Sequence, residues 1–162
     1  MTLSKESLKK AKSLLKEFKT DYLKSVDNGI KVATEMAYNK VLQYCYASGI
    51  ENHTGNIYWE YDEKTKTGRV YSGDMVIIFN ELGTGIVGSN NPHPDPSMFG
   101  DWKYDVNGHG EAGWVYPKGD GTYGRTRGLP SRKMFYNAFL DIQEELEDII
   151  DVQLQGNIKK LY

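Results

Sequence analysis

Cysteine is almost absent from this 162-residue chain, in which Cys45 stands alone. An internal disulfide is excluded, and with it the cysteine-framework class of small secreted domains. Long apolar runs are missing as well, and none is of the length that spans a bilayer. The opening Met1-Thr2-Leu3-Ser4-Lys5-Glu6 carries charge where a signal peptide has an apolar segment. Synthesis in the cytoplasm, away from any membrane, is therefore expected. Charge of one sign is lacking too: 20 basic residues face 22 acidic ones for a net charge of −2, so no overall positive field draws the whole surface to nucleic acid. Proline is scarce, and three of the five stand at positions 92, 94 and 96.

Amphipathic aromatics are plentiful. Twelve tyrosines and three tryptophans stand against five phenylalanines, a balance that suits half-buried sheets and protein interfaces. The length suits a single domain, residues 1–162. Residues 4–48 read as two helices. The first covers 4–26, with Leu8, Ala11, Leu15, Phe18 and Tyr22 on one face and Lys5, Lys9, Lys10, Lys12, Lys16, Lys19 and Lys24 over much of the rest. Asp27-Asn28-Gly29 supplies turn chemistry, and a second helix follows over 30–47, carrying Cys45 as a small buried hydrophobe. From Asn56 the period becomes two. Ile57, Trp59 and Tyr61 alternate with Tyr58, Glu60 and Asp62, a turn follows at 64–68, and 69–72 starts a return strand. Met75-Val76-Ile77-Ile78-Phe79 is apolar and β-branched, as in a third, central strand of an antiparallel meander.

Residues 83–128 hold most of the glycine, and Asn90-Asn91-Pro92-His93-Pro94-Asp95-Pro96 is unfit for regular structure. Phe99, Trp102, Tyr104, Trp114, Tyr116 and Tyr123 argue against permanent disorder there, so this long loop is expected to order on docking against a partner. Gly119-Asp120-Gly121-Thr122-Tyr123-Gly124 lacks the lysine and hydroxyl that end a phosphate loop and reads as a hairpin turn. Ser131, after Pro130, is placed to cap a final helix over 131–155, apolar through Phe135, Ala138, Phe139, Ile142, Leu146, Ile149 and Ile150 and acidic on its other side. Gly156-Asn157 is read as its end, and 158–162 as a short basic tail. The fold class is α+β: two N-terminal helices, an antiparallel sheet of three to five strands spanning 56–128 with its long Gly/Pro-rich loop, and a C-terminal helix packed on the sheet.

Two clusters invite a chemical reading. His93, Asp95, His109 and Glu111 offer imidazole and carboxylate to a divalent ion, which makes a metal-dependent hydrolase the enzymatic alternative. A His-Glu-x-x-His helix is missing, however, and the ligands would converge from a glycine-rich loop, so His109 reads as a hydrogen-bonding loop residue. Glu81 has no partner base in sight and is expected to accept hydrogen bonds from the amides of the glycine turn that follows it. Arg125, Arg127, Arg132 and Lys133 gather at the entry to the last helix, where guanidinium groups suit phosphates or neighbouring acids.

The ordered set Glu81, Gly83-Thr84-Gly85, Gly113-Trp114 and Thr126-Arg127-Gly128-Leu129-Pro130-Ser131 resembles the head–tail joining, or tail-completion, proteins of the neck of long-tailed bacteriophages. The likeness is strongest over 79–139. Leu82 departs from it, the family more often having an aromatic there, and the loop 89–107 matches only part of the family in length. The resemblance implies a virion structural protein and no enzyme, with no cofactor and no metal. It implies copies that assemble as a ring, a hexamer or dodecamer, at the head–tail junction. Its partners would be the connector or head-completion protein and the tail terminator or tail tube protein. On that footing Trp102, Tyr104, Trp114 and Tyr116 are the interface candidates, and Arg125, Arg127, Arg132 and Lys133 are candidates for non-specific contact with DNA passing through the ring. A ring repeats one heterologous contact, for which a lysine-rich first helix and an acid-rich last helix offer complementary faces; two solvated helix faces would have the same composition. A soluble adaptor with no virion role is the third reading.

Overall fold

The computed structural model describes residues 4–95 and 100–158. Pro96, Phe99 and the basic tail from residue 159 onward lie outside the described residues. The α+β class holds, with three corrections to its parts.

The first correction concerns the N-terminal helices. They are one helix, α1 (Lys5–Ala47), 43 residues long and so about 64 Å at 1.5 Å per residue. Ser4 Oγ caps it by accepting from Ser7 N at 3.1 Å. Asp27-Asn28-Gly29 does not break it. Gly29 is buried at a helix crossing, where a Cβ would lie 2.8 Å from Ile150 Cγ1 and 3.3 Å from Ile150 Cα. A mid-helix glycine costs about 1 kcal/mol against alanine; here the missing side chain lets a second helix come close. Asp27 reaches sideways, accepting from Tyr61 Oη and from Lys66 Nζ at 2.7 Å, and so ties the helix to the first hairpin.

That hairpin is the one the alternation predicts. β1 (Ile57–Asp62) pairs antiparallel with β2 (Thr67–Ser72), Ile57 opposite Ser72 and Asp62 opposite Thr67. Ile57 is buried and Trp59 and Tyr61 are half-buried on one face, while Tyr58 stacks on Tyr71 (5.9 Å between rings) on the outer face.

The second correction concerns the apolar run after it, which is a helix, α2 (Met75–Leu82), and no strand. Asp74 caps it, Oδ1 accepting from Val76 N at 2.8 Å, and Asn80 Nδ2 donates back to Val76 O. Only Ile77 and the residues from Asn80 on are buried, while Met75 is 53% exposed. Eight residues are too few for the helical period to show through β-branched side chains. In place of one sheet of three to five strands, the described residues form two separate two-stranded sheets.

Asp74 also takes hydrogen bonds from His53 Nδ1 (2.8 Å) and Asn56 Nδ2 (2.6 Å). The His53 contact, with Asn56 and the Val76 amide, holds its carboxyl down at about 2. A depressed carboxyl stabilises the fold above its unfolded value and loses that contribution as pH falls through the folded one. Acid titration of stability should therefore show a decline between about pH 4 and pH 2 that Asp74→Asn flattens, with the variant less stable than the parent at pH 7; urea midpoints across that range are the measurement.

Beyond α2, Gly83-Thr84 leads into the short helix α3 (Gly85–Asn90). After the proline stretch, a 3₁₀ turn at Gly110–Ala112 precedes the second hairpin, β3 (Trp114–Pro117) with β4 (Tyr123–Thr126), Trp114 opposite Thr126. The 119–124 glycine stretch supplies its turn only in part: the turn closes from Lys118 N to Thr122 O, and Tyr123 and Gly124 already belong to β4. β5 (Gly128–Leu129) bridges to Thr84 and Gly85.

The third correction concerns the last helix, α4, which runs Met134–Ile158 and passes through Gly156-Asn157 without ending. Ser131 does not cap it: its Oγ donates to Glu81 O at 2.6 Å. α4 lies antiparallel on α1. Lys40 Nζ meets Asp141 (3.4 Å) and Glu145 (3.0 Å), Tyr44 Oη donates to Asp141 (2.9 Å), and Ile150 meets Gly29. The start of α4 also packs toward the first hairpin: Val41, Cys45, Ile57, Ile77, Met134 and Ala138 form the main core, with Val70 partly buried against it. Ala33, Ile142 and Ile149 continue the core between the two long helices. Cys45 is fully buried, its Sγ 3.6 Å from Met134 Sδ, and burial pushes its thiol up to about 11, which fits a small hydrophobe and no nucleophile.

Candidate functional site

Glu81 is the polar centre around which the middle of the chain is organised. Its side chain is only 3% exposed. Oε2 accepts from Phe135 N at 2.9 Å, and Oε1 accepts from Tyr136 N at 3.1 Å and pairs with His93 Nε2 at 3.0 Å. The carboxylate thus satisfies the open amides at the start of α4 and sits where the helix dipole favours negative charge. The expected bonds from the glycine turn are corrected: the Gly83 and Gly85 amides donate instead to the carbonyls of Phe79 and Tyr104. The reason is sequence distance. The better donors arrive 54 residues later, at a helix start left open because Ser131 is engaged elsewhere.

His93 is held from every side. Nδ1 accepts from Asp95 N at 3.0 Å, which leaves Nε2–H to donate to Glu81. Its ring stands edge-on to Tyr136 at 5.3 Å, and its amide donates to Tyr104 Oη at 3.0 Å. The proline stretch is thereby pinned to α4.

Around Glu81 the four separated motifs meet. Gly85 lies against the 126–128 segment so closely that a Cβ would be 2.2 Å from Arg127 O and 2.9 Å from the Trp114 ring. Gly128 sits at φ +110°, with room for a Cβ only 1.8 Å from Thr84 O. Thr84 Oγ1 accepts from Leu129 N at 3.1 Å. Trp102 Nε1 donates to Gly83 O at 3.1 Å.

Over this junction opens a groove of about 1190 Å³. All four interface candidates line it: Trp102, Tyr104, Trp114 and Tyr116. Met75, Phe79, Val106 and Val115 complete its apolar surface, and Val106 is 76% exposed. Sequence reasoning missed Met75 and Phe79 because a central strand would have buried both. Their helical spacing of four was the available signal. Trp102 packs on Phe79 of α2 (6.0 Å) and Trp114 on His109 at the start of the 110–112 turn (5.3 Å), and both rings are half-buried. Such a surface takes apolar side chains, with indole and phenol edges to orient them.

The remaining candidates lie apart in their bonding. Asp105 accepts from the amides of Gly110 (2.7 Å) and His109 (3.0 Å), which hold its carboxyl below the ordinary range, and the His109 ring lies 3.6 Å from it. Glu111 pairs with Arg127 at 2.6 Å. Among the described residues no three or more His, Cys, Asp and Glu side chains gather as a metal site. Arg125 donates twice to Ala112 O, at 3.1 and 2.6 Å. Arg132 is exposed and Lys133 takes the left-handed φ of 56°, their amides donating to the carbonyls of Asn80 and Glu81. The guanidinium groups of Arg125 and Arg127 thus hold the 110–112 turn, whereas Arg132 and Lys133 join the entry of α4 to the end of α2 through their backbone amides. Scans against family models, curated proteins and solved structures find no match to this chain.

Proposed function

We propose that this chain is a structural component of a tailed phage or prophage particle: a ring-forming head–tail joining or tail-completion protein linking the capsid connector to the tail tube. The observation that carries the reading is the junction. Glu81, Gly83-Thr84-Gly85, Gly113-Trp114 and Thr126 through Ser131, the ordered set behind the resemblance, pack against one another through backbone-close contacts. In this reading the junction is a rigid seat, and the aromatic groove above it receives the neighbour along the tail axis. An interface core of Trp and Tyr with few charges is what such docking uses. Arg132 is exposed, and no ion pair engages it among the described residues, which makes it the first candidate for contact with passing DNA. No step of this role calls for catalysis.

Electron microscopy of particles assembled without this protein tests the proposal. Full heads and finished tails that stay separate are the expected result. Joined particles of normal appearance would overturn it.

A further inference from the structure

The first half of α1 has no cover. Every described residue from Ser4 to Thr20 is exposed, and among them Leu8, Leu15 and Phe18 are 46%, 68% and 51% exposed. With Ala11 and Tyr22 they follow three-and-four spacing, and the same stripe continues through Gly29 and Ala33, where α4 covers it. On the antiparallel register set by Lys40–Asp141 and Gly29–Ile150, the described part of α4 ends level with about residue 21. The uncovered stripe is thus a continuation of a helix–helix interface past the described end of its partner. An apolar helical face left in water is a mark of association.

Charge says what covers it. Lys5, Lys9, Lys12, Lys16 and Lys19 repeat at the same spacing along one flank of the stripe, and none has an ion pair among the described residues. A second arm of the same kind would set lysine against lysine. The outer face of α4 carries the opposite pattern. Glu144, Glu147, Asp148 and Asp151 are exposed and hold no ion pair among the described residues, whereas Asp141 and Glu145, turned toward α1, share Lys40. Exposed Leu140 and Val152 bracket these acids. From Leu140 to Val152 is about 18 Å of helix, against about 21 Å from Lys5 to Lys19.

We infer that the N-terminal arm of α1 docks on the outer, acidic face of α4 in a second copy of this chain. Each copy then offers one arm and one acidic face, so the contact is heterologous and repeats from copy to copy until it closes. Lysines and carboxylates set the register, and the leucine and phenylalanine stripe supplies buried area. The inference rests on the ring-forming reading above and supplies its lateral contact, leaving the groove for other partners.

Charge reversal tests it by sedimentation of the full chain. The parent is expected to sediment as multiples of 18.4 kDa. The triple variant Lys9→Glu, Lys12→Glu, Lys16→Glu and the triple variant Glu144→Lys, Glu147→Lys, Asp151→Lys should each be monomeric with unchanged helical circular dichroism, since every altered side chain is exposed. Mixed one to one, the two variants should assemble again, because each reversed arm meets a reversed face and each native arm a native face. Leu15→Ser with Phe18→Ser should likewise give monomers. A monomeric parent at every concentration, variants that assemble like the parent, or a mixture that stays monomeric would each overturn the inference. Those results would leave the particle-morphology test untouched, and joined particles there would remove the neck role while a positive mixing result kept the contact.

Discussion

Glu81→Ala is expected to lower the free energy of unfolding by about 3–5 kcal/mol, the range found when one partner of a buried charged network is removed. Three donors lose their acceptor at once: the amides of Phe135 and Tyr136 and Nε2–H of His93. None is in a position to turn to water, since Glu81 and His93 have side chains 3% and 0% exposed. The loss has a geometric sequel. α4 would start without its acceptor, and the 92–95 stretch would lose the bond that fixes it to α4. Glu81→Gln keeps one oxygen acceptor and the volume but puts an NH2 group, two more donors, into a pocket already full of donors, so its loss is expected at about 1–3 kcal/mol. Urea unfolding followed by circular dichroism measures both. An alanine variant within 1 kcal/mol of the parent would show that the junction does not depend on this carboxylate.

The second large effect is expected at Gly128. Alanine there would set a Cβ 1.8 Å from the carbonyl oxygen of Thr84, a backbone atom with no rotamer to yield, at a φ of +110° that side chains rarely adopt. Strain and overlap add, and a loss of at least about 3 kcal/mol follows from backbone strain and overpacking. The bridges Thr84–Leu129 and Gly85–Gly128 should open, and with them the floor of the aromatic groove. Quenching of Trp114 and Trp102 fluorescence by iodide reads that opening directly. Gly73→Ala is the control, having nothing within 4 Å of the added methyl, and should be neutral or slightly stabilising. Equal behaviour of the two variants would mean that the close approach at Gly128 relaxes at no penalty.

What the sequence disclosed and what it hid follow a physical division. Local pattern revealed β1 and β2 through their alternation, the presence of a second hairpin turn through its glycines, the buried Cys45 and the amphipathic character of both long helices, because each of these is decided within a few neighbours. Three readings failed where a distant partner decides. Asp27-Asn28-Gly29 carries the composition of a turn, yet the contact of Gly29 with Ile150, more than a hundred residues on, makes it a crossing point. Met75 to Phe79 has strand composition, but the Asp74 cap and the burial of Asn80 and Glu81 favour a helix. Glu81 was singled out with the wrong donors because the right ones are at the start of α4. Trp102, Tyr104, Trp114 and Tyr116 were legible as a group; that they share one groove with α2 was not, since α2 was read as a strand.

The pairing of α1 with α4 has a consequence for biosynthesis. Lys40 finds Asp141 and Glu145 only after roughly a hundred further residues have been joined, and so long a closure lowers the rate at which native contacts form. The second half of α1 therefore leaves the ribosome with its apolar face bare well before the helix that covers it exists. Nascent chains stalled ahead of Met134 would lack the side chains of α4 that cover Ala33, Val41 and Cys45, leaving that face open to non-native association.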